Sequence, residues 1–469
     1  MSESVASGRS PSHGGDPEEN RGTTPTLLAQ NPLRAVVTLA MPQTMVMLIA
    51  ATSNVLHTYF VSRLGDESIA AVSLVFPISL IVITVISGGL GAGVASGVAR
   101  ALGAGRKEEA RSVAEHALAM TWIGAVVFTV GFELGSRSLF RVMGGSGEIL
   151  RQATLFARTL FAGLAIPFFV GTVDSIMRAE GNVRVPAACA TLSLVLQIVL
   201  TPLFMFVAGM GLIGAPLATV AGQFVGAVLR ALYVFGGRGI IRPRLWPHRL
   251  ARKHFAEILR ISVPSSVAAT LNHAALIVLT GTFAHMGSTH LAAYGLGTRL
   301  DFLLFSLGYG VALATLTLVG MATGAGRTDL VRQYVLRTVF LVVSVVAVPT
   351  FLVVWKPGLW LGLFTDDPEI HRVGAEYFHI IGPTYLFAVT SMTLASTFQG
   401  LGRATIPLVV MVARVSLLIG IALVLTRVLD YGARPVFFLV AAVNVTSCSL
   451  LTAMFVRTVR RMHQGFAFG

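Results

Sequence analysis

The sequence predicts an all-α polytopic membrane protein, with twelve transmembrane helices arranged as two parallel-repeat six-helix lobes. Hydrophobic residues make up 54% of the 469 residues and charged residues only 12%, whereas a soluble domain carries about 25% charged residues. Long apolar segments recur along the chain, and the second half repeats motifs of the first at a constant offset. The bilayer is therefore the main solvent of this chain.

The apolar segments are long enough for the roughly 20 residues that a span requires. Breaks rich in Gly, Pro and Arg separate them. An even number of spans leaves both termini on one side of the membrane. The twelve predicted spans are 35–61, 70–99, 112–136, 152–177, 185–207, 212–236, 257–284, 291–322, 330–355, 373–398, 405–427 and 435–457.

The positive charges indicate the orientation of these spans. With both termini inside, and with charges near the span ends counted with the adjacent loops, 24 Lys and Arg residues fall on the cytoplasmic side and eight on the opposite side, which leaves three within spans. Lys and Arg are enriched in the cytoplasmic loops of membrane proteins, so we expect a multi-pass inner-membrane protein with cytoplasmic termini. The formal net charge of +14 thus reflects topology, and no nucleic acid partner is expected.

The polar segments divide the chain into lobes, a linker and tails. Residues 1–30 are rich in Ser, Gly, Pro and Glu, which predicts a disordered cytoplasmic tail. Residues 238–256 form a basic cytoplasmic linker between a first lobe at 31–237 and a second lobe at 257–457. Residues 458–469 are expected to form a second cytoplasmic tail.

Motifs of the first half recur in the second half. GAGR occurs at 103–106 and at 324–327, and RLGDESIAAVSL at 63–74 is matched by HMGSTHLAAYGL at 285–296, so the offset is nearly the same for both motifs. Six spans per copy return the second copy in the same orientation, so the lobes should be related by an axis along the membrane normal. Two equivalent bundles around a central cavity are typical of secondary transporters.

Glycines in and after the second apolar segment have predicted structural roles. Gly89, Gly93 and Gly97 stand at four-residue intervals, which favours close helix packing over a nucleotide-binding loop. Each GAGR motif predicts a tight turn that ends one helix before the next begins.

Further motifs are distributed in order over nearly all of residues 35–460. They are LAMPQTM (39–45), YFVSRLGDESIAAVSLVFP (59–77), GLGAGVASGVARALGAGRKEEAR (89–111), IMRAEGNVRVP (176–186), GLIGAPLATVAGQ (211–223), LAAYGLGTRLDFLLF (291–305) and GVALATLTLVGMATGAGR (310–327). In these motifs the chain resembles the multidrug and toxic compound extrusion (MATE) family of cation-coupled efflux transporters. The resemblance implies a cavity that opens alternately to the cytoplasm and the exterior, and a cargo that is an amphipathic organic cation.

The chain departs from this family at its acidic positions. Prokaryotic members carry an Asp in the first helix and an Asn and an Asp in the fifth, where this sequence has His57, Gln197 and Thr201. Asn272 stands where some members have a Glu in the seventh helix. None of the four is a fixed anion at neutral pH. Gln197 and Thr201 still share a helical face.

Ionisable groups inside spans are candidate functional residues because their burial in lipid is costly. Arg299 and Asp301 are spaced i, i+2 and face different directions, so Asp301 needs another partner or a proton. In the MATE family an Arg followed two residues later by an acid is common at this point. The resemblance therefore implies that Asp301 contacts the coupling ion or the substrate and that Arg299 is an orienting residue. For Arg414, the open alternatives are gating, an interlobe contact and substrate contact.

Structural interpretations compete with functional ones at three other positions. Asp174 and Arg178 are spaced i, i+4 at the end of the fourth helix, which predicts a local ion pair. His57 either lines the cavity and senses protons or bonds to a carbonyl at the interface. His273 has the same two alternatives in the seventh helix.

The coupling ion is predicted from the groups around His57. The amide of Gln197 and the hydroxyls of Thr201 and Thr219 form a poor ligand set for Na⁺. An imidazole changes charge near about pH 6.5, and a carboxyl group buried without a cation can also exchange a proton near neutral pH. We therefore expect H⁺ coupling, with Asp301 as the first candidate and His57 as the second, and Na⁺ as the alternative. No other cofactor and no structural metal is expected.

The expected function is a monomeric antiporter that exports small molecules across the lipid bilayer. A flippase for lipid-linked saccharides is the alternative on a related fold. It should have a more cationic cavity than Arg158, Arg299 and Arg414 can supply. An enzyme or a primary pump is not expected, because the sequence has neither an HExxH zinc motif nor a GxxxxGK[ST] nucleotide loop.

Overall fold

The computed structural model describes residues 28–247, 250–429 and 431–463, and nearly all of them are helical. In these ranges eleven helices are long and apolar enough to cross a membrane, and one pair bent by 45° makes twelve spans when it is counted as one. The prediction of an all-α protein with twelve spans is confirmed. The spans are α1 (Pro32–Ser62), α2 (Glu67–Gly103), α3 (Lys107–Val142), α4 (Gly147–Ala162 and Ala165–Ala179), α5 (Arg184–Val207), α6 (Gly211–Phe235), α7 (Arg252–His285), α8 (Ser288–Gly324), α9 (Thr328–Trp355), α10 (Pro368–Gly400), α11 (Thr405–Thr426) and α12 (Ala433–Met462).

The third and fourth spans show how the helix boundaries differ from the sequence prediction. The third span, predicted for 112–136, belongs to a helix that runs over Lys107–Val142. The charged residues that flank the apolar segment continue the helix, since Arg111 bonds to Glu115 one turn later. The fourth span, predicted as one segment over 152–177, bends between Ala162 and Ala165.

Irregular turns recur at equivalent places in the two halves. α5 ends in the π-helical segment Leu203–Val207, and α11 has a corresponding π-helical segment, Val424–Val428, at its end. The separation of these two segments matches that of the two GAGR motifs. The bend of α4 has a counterpart in α10, where Gly382–Thr384 form a 3₁₀ turn. The halves thus share local distortions as well as helix order.

The two lobes meet through the first two helices of each half. α1 packs against α8, and α2 packs against both α7 and α8. Inside the lobes, α1 contacts α5 as α7 contacts α11, and α2 contacts α4 as α8 contacts α10. One face of the molecule carries the loops 104–106 and 325–327 and the loop residues 236–247 and 250–251, and we call it the basic face; the opposite side is the distal face.

Glycines permit the closest approach between the lobes. A Cβ atom on Gly89 or Gly93 of α2 would overlap the Ser266 or Ser262 side chain of α7. At the basic face, a Cβ atom on Gly103 would overlap the backbone carbonyl of Met321. The GAGR motifs form the predicted turns, in which Gly105 and Gly326 have φ values of +74° and +69° that favour glycine.

The linker between the lobes lies against the basic face of the first lobe. The backbone N–H of Ile241 donates to Glu180 (2.8 Å), and that of Arg244 donates to Glu115 (3.0 Å). The N–H of Ala251 donates to Nε2 of the buried His116 (2.8 Å), one residue before α7 begins. The described part of the linker is therefore fixed to the first lobe.

Candidate functional site

Asp301 lies in α8, inside the second lobe. The hydroxyl group of Tyr377, from α10, donates a hydrogen bond to its Oδ2 atom (2.8 Å). The Tyr385 hydroxyl also faces the carboxyl group, from the turn after the α10 bend. The Oδ1 atom is buried without a hydrogen-bond partner in the described part of the chain. The site is thus a carboxyl group enclosed by phenols.

Aromatic rings form the wall behind Asp301. The ring of Tyr377 makes edge contacts with Tyr294 (centroids 6.2 Å apart) and Phe437 (5.3 Å). Phe283 stacks on Tyr294 at 4.5 Å. Gly297 makes room for this arrangement, because a Cβ atom there would overlap the Tyr377 ring. Neither Gly297 nor Tyr377 was predicted as a site residue, although Gly297 stands four residues before Asp301 on the same helical face.

Arg299 does not contact Asp301, as their i, i+2 spacing indicated. Its side chain is exposed, and its guanidinium group lies over the ring of Phe364, 5.4 Å from the centroid. Phe364 belongs to the loop between α9 and α10, on the distal face. Arg299 is therefore placed near the distal face of the second lobe.

Arg414 belongs to a polar chain inside the second lobe. Its Nη2 donates to Oδ1 of Asn444 in α12 (2.9 Å), and Nδ2 of Asn444 donates to the hydroxyl of Thr384 (3.0 Å). Thr384 directly precedes Tyr385, which faces Asp301. The hydrogen bond of Arg414 therefore lies within one lobe. Together with the bond from Asn444 to Thr384, it connects α11 and α12 to the surroundings of Asp301.

Four candidates of the first lobe, His57, Gln197, Thr201 and Thr219, are less tightly linked than the residues around Asp301. The ring of His57 makes an edge contact with Phe156 of α4, with centroids 6.4 Å apart. The hydroxyl of Thr201 donates to the backbone carbonyl of Gln197 (2.6 Å), and that of Thr219 donates to the carbonyl of Ala215 (3.1 Å). These hydroxyl protons are engaged by backbone carbonyls of their own helices.

The predicted ion pair between Asp174 and Arg178 is wrong. Asp174 is instead held by the buried Arg230 of α6, whose Nε and Nη2 donate to its two oxygens at 2.6 and 3.2 Å. Arg230 also donates to the carbonyls of Gly226 and Pro186 (both 3.1 Å), so its guanidinium is well satisfied. Arg178 donates to the hydroxyl of Ser175 (2.8 Å).

His273 takes part in a contact between the lobes. Its Nε2 lies 3.0 Å from the hydroxyl of Thr84, in the π-helical segment Thr84–Leu90 of α2. The neighbouring Asn272 is exposed. His273 therefore has an interlobe role in this conformation, which the sequence left open.

Polar contacts also cross between the lobes nearer the basic face. Ser96 of α2 donates to the carbonyl of Gln399 in α10 (2.6 Å). Arg100 forms an ion pair with Glu257 of α7 (2.8 Å). Together with the close approach of Gly103 to Met321, these contacts close the basic face of the seam between the lobes.

Two repeated six-helix lobes, joined by a tight seam on one face, are an architecture typical of membrane transporters. The family model MatE matches the chain twice, over residues 42–203 and 264–425, so that each match falls on one of the two halves. The chain belongs to the MATE family.

Known relatives extend over most of the chain. It is 23% identical over 399 residues to the FAD transporter of Shewanella oneidensis, covering 82% of this chain and 86% of that protein. It is 23% identical over 388 residues to the probable multidrug resistance protein NorM of Thermotoga maritima, covering 80% and 82%. A solved outward-facing MATE multidrug resistance transporter superposes with a TM-score of 0.87 at 26% identity, covering 94% of this chain and 99% of that chain.

Proposed function

We propose that this chain is an H⁺-coupled antiporter that exports amphipathic, cationic small molecules by alternating access. The observation that carries the proposal is the enclosed carboxyl group of Asp301. Its hydrogen-bond donor is the Tyr377 hydroxyl, and no Lys, Arg or His of the described residues forms an ion pair with it. A carboxyl group without a cationic partner can compensate its charge by binding a proton or a cationic cargo.

Competition between these two ligands would provide the coupling. A proton on Asp301 removes the negative charge that attracts a cation, so the two are bound alternately. The surrounding groups favour H⁺ over Na⁺, because the carboxyl group meets two phenol hydroxyls, whereas hard cations prefer a larger set of oxygen ligands. His57, half-buried in the first lobe, is the second candidate proton site.

The closed seam supports the alternating-access part of the proposal. The contacts at the basic face correspond to a conformation that opens toward the distal face. If the basic face is cytoplasmic, as its Lys and Arg residues favour, this conformation is outward-facing. Reporter fusions near Arg244 and after Gly469 should both indicate the cytoplasm, and an external signal from either would contradict this orientation.

An aromatic organic anion is a second candidate cargo. The FAD transporter named above is a relative, and the exposed guanidinium of Arg299 over Phe364 offers a cationic and aromatic surface near the distal face. Such a surface suits the stacking of an anionic ring system.

One transport assay tests coupling and cargo together. Proteoliposomes receive either a pH gradient or a Na⁺ gradient, and contain either a cationic dye or FAD. The variant Asp301→Asn is compared with Asp329→Asn, which removes an exposed carboxylate on α9. We expect transport of the cationic dye driven by the pH gradient in the wild type and in Asp329→Asn, and its loss in Asp301→Asn. Transport driven only by Na⁺, or full activity of Asp301→Asn, would refute H⁺ coupling through Asp301, and transport of FAD alone would establish the second cargo.

A further inference from the structure

A cavity of about 580 Å³ lies at the basic face, where the two lobes meet. Its walls come from the ends of α2 and α8, from the starts of α3 and α7, and from the turn after α10. Gly324, Gly326 and Gly402 line it with backbone. Its charged lining residues are Arg100, Arg106, Arg260, Arg403, Glu109 and Glu257.

One arginine of this lining, Arg260, pairs with neither of its two glutamates. Both glutamates are engaged by arginines, Glu257 by Arg100 at 2.8 Å and Glu109 by Arg106 at 2.5 Å. Arg100, Arg106 and Arg260 therefore share two carboxylates. Arg260 stands one helical turn after Glu257 and forms no ion pair within the described residues, while its charge repels that of Arg100. An anion in the cavity would relieve this repulsion.

We propose that this cavity binds an anion that carries phosphate groups, and that the bound anion holds the basic face of the seam closed. Guanidinium groups bind phosphate oxygens through paired, charge-assisted hydrogen bonds. The volume falls within the roughly 300–1,000 Å³ of small-molecule pockets, so a phosphorylated solute fits as a whole. The phosphate headgroup of a membrane lipid offers the same chemistry.

The position of the arginines explains the effect on the seam. Arg100 belongs to the first lobe and Arg260 to the second, so an anion between them bridges the lobes. Opening of the basic face would separate the two groups and dismantle the cavity. A ligand that binds one conformation shifts the equilibrium toward it, so the anion stabilises the closed basic face. This effect on the seam rests on the alternating access proposed above, whereas binding itself does not.

Binding can be measured without cargo or gradient. The full-length protein in phosphatidylcholine nanodiscs is titrated with inorganic pyrophosphate, as wild type and as Arg260→Gln, Arg260→Lys and Arg332→Gln. Arg332 is an exposed arginine of α9 outside the cavity lining, and serves as the matched control. We expect binding about tenfold weaker in Arg260→Gln, the loss of roughly one charge-assisted contact, and wild-type binding in Arg332→Gln. Arg260→Lys keeps the positive charge but not the paired guanidinium contacts, so its affinity should lie between those of the wild type and Arg260→Gln.

Equal binding by wild type and Arg260→Gln, or an equal loss in Arg332→Gln, would overturn the site. A second arm repeats the titration in phosphatidylglycerol nanodiscs. If lipid headgroups occupy the site, they compete with pyrophosphate, so the wild type should bind pyrophosphate more weakly in phosphatidylglycerol than in phosphatidylcholine, and Arg260→Gln should not. Equal binding by the wild type in the two lipids assigns the site to soluble phosphates. Hydrogen exchange then tests the seam. Pyrophosphate should slow exchange at 100–106 and 323–327 in the wild type, and unchanged exchange despite binding would refute the closing effect.

Discussion

Gly103 and Gly324 occupy equivalent positions in the two halves, as the first residue of each GAGR motif, and each lies against the backbone of the other's helix. A Cβ atom on Gly103 would overlap the carbonyl of Met321, and one on Gly324 would overlap the carbonyl of Arg100. Because both obstacles are backbone atoms, no side-chain rotation can relieve them. The contact between the ends of α2 and α8 therefore requires glycine on both sides.

The double variant Gly103→Ala/Gly324→Ala should weaken the closed basic face. The probe is a cysteine introduced by Ser96→Cys, at a position buried at the seam. We expect it to react about tenfold faster with a membrane-impermeant maleimide in the double variant, because a tenfold larger open fraction corresponds to a shift of about 1.4 kcal/mol in the equilibrium between open and closed seam. The native Cys189 and Cys448 are replaced by Ala in all variants. The control is Gly131→Ala, where an added Cβ meets no atom within 4 Å. Equal labelling rates in both variants would show that the glycines do not maintain the seam.

The ion pair between Asp174 and Arg230 should be a major stabiliser of the first lobe. Asp174→Asn leaves the buried guanidinium of Arg230 without its counter-charge, and breaking such a pair costs about 3–5 kcal/mol. Thermal unfolding in detergent, followed by circular dichroism, should show a clear loss of stability. Asp329→Asn, which breaks an exposed pair with Arg327, should leave the midpoint unchanged. Similar midpoints for the two variants would contradict this ranking.

Glu180 should make stability depend on pH. Burial raises the pKa of its carboxyl group above its ordinary value, and the hydrogen bond from Ile241 only partly offsets this. The folded state then holds the proton more tightly than the unfolded state, so stability falls as the pH rises through the interval between the two pKa values.

The variant Glu180→Gln keeps an acceptor for Ile241 but does not ionise. Its thermal midpoint should match that of the wild type at about pH 4.5 and exceed it at about pH 7.5. Both proteins are measured in the same detergent at both pH values. A difference that is independent of pH, or that has the opposite sign, would show that ionisation of Glu180 does not destabilise the linker contact.

The hydroxyl of Tyr377 should be needed for transport driven by a pH gradient. Tyr377→Phe keeps the ring in the aromatic wall but removes the donor to Asp301, and we expect a rate about tenfold lower, since a hydrogen bond to a charged group is worth about 1.5–3 kcal/mol. The comparison is Tyr431→Phe, an exposed tyrosine near the distal end of α12. Wild-type rates in Tyr377→Phe would mean that Asp301 acts without this donor.

The sequence was sufficient to predict the spans, the repeat and the turns. The length of an apolar segment, the offset between two motifs and the position of a glycine can all be read from the order of the residues. It was insufficient for partners that lie far apart in the chain. The i, i+4 rule assigned Asp174 to Arg178, whereas Arg230 is 56 residues away. Likewise, spacing showed that Asp301 needs a partner but did not identify Tyr377, which comes from another helix 76 residues later.

The attachment of the linker restricts how the halves can move. Glu180, Glu115 and His116 fasten its described residues to the first lobe up to Ala251, and α7 begins at the next residue. No loop residue separates Ala251, the last linker residue bonded to the first lobe, from the first residue of α7. In the alternating access proposed above, the second lobe would therefore rotate about the connection at Ala251 and Arg252, at this corner of the basic face.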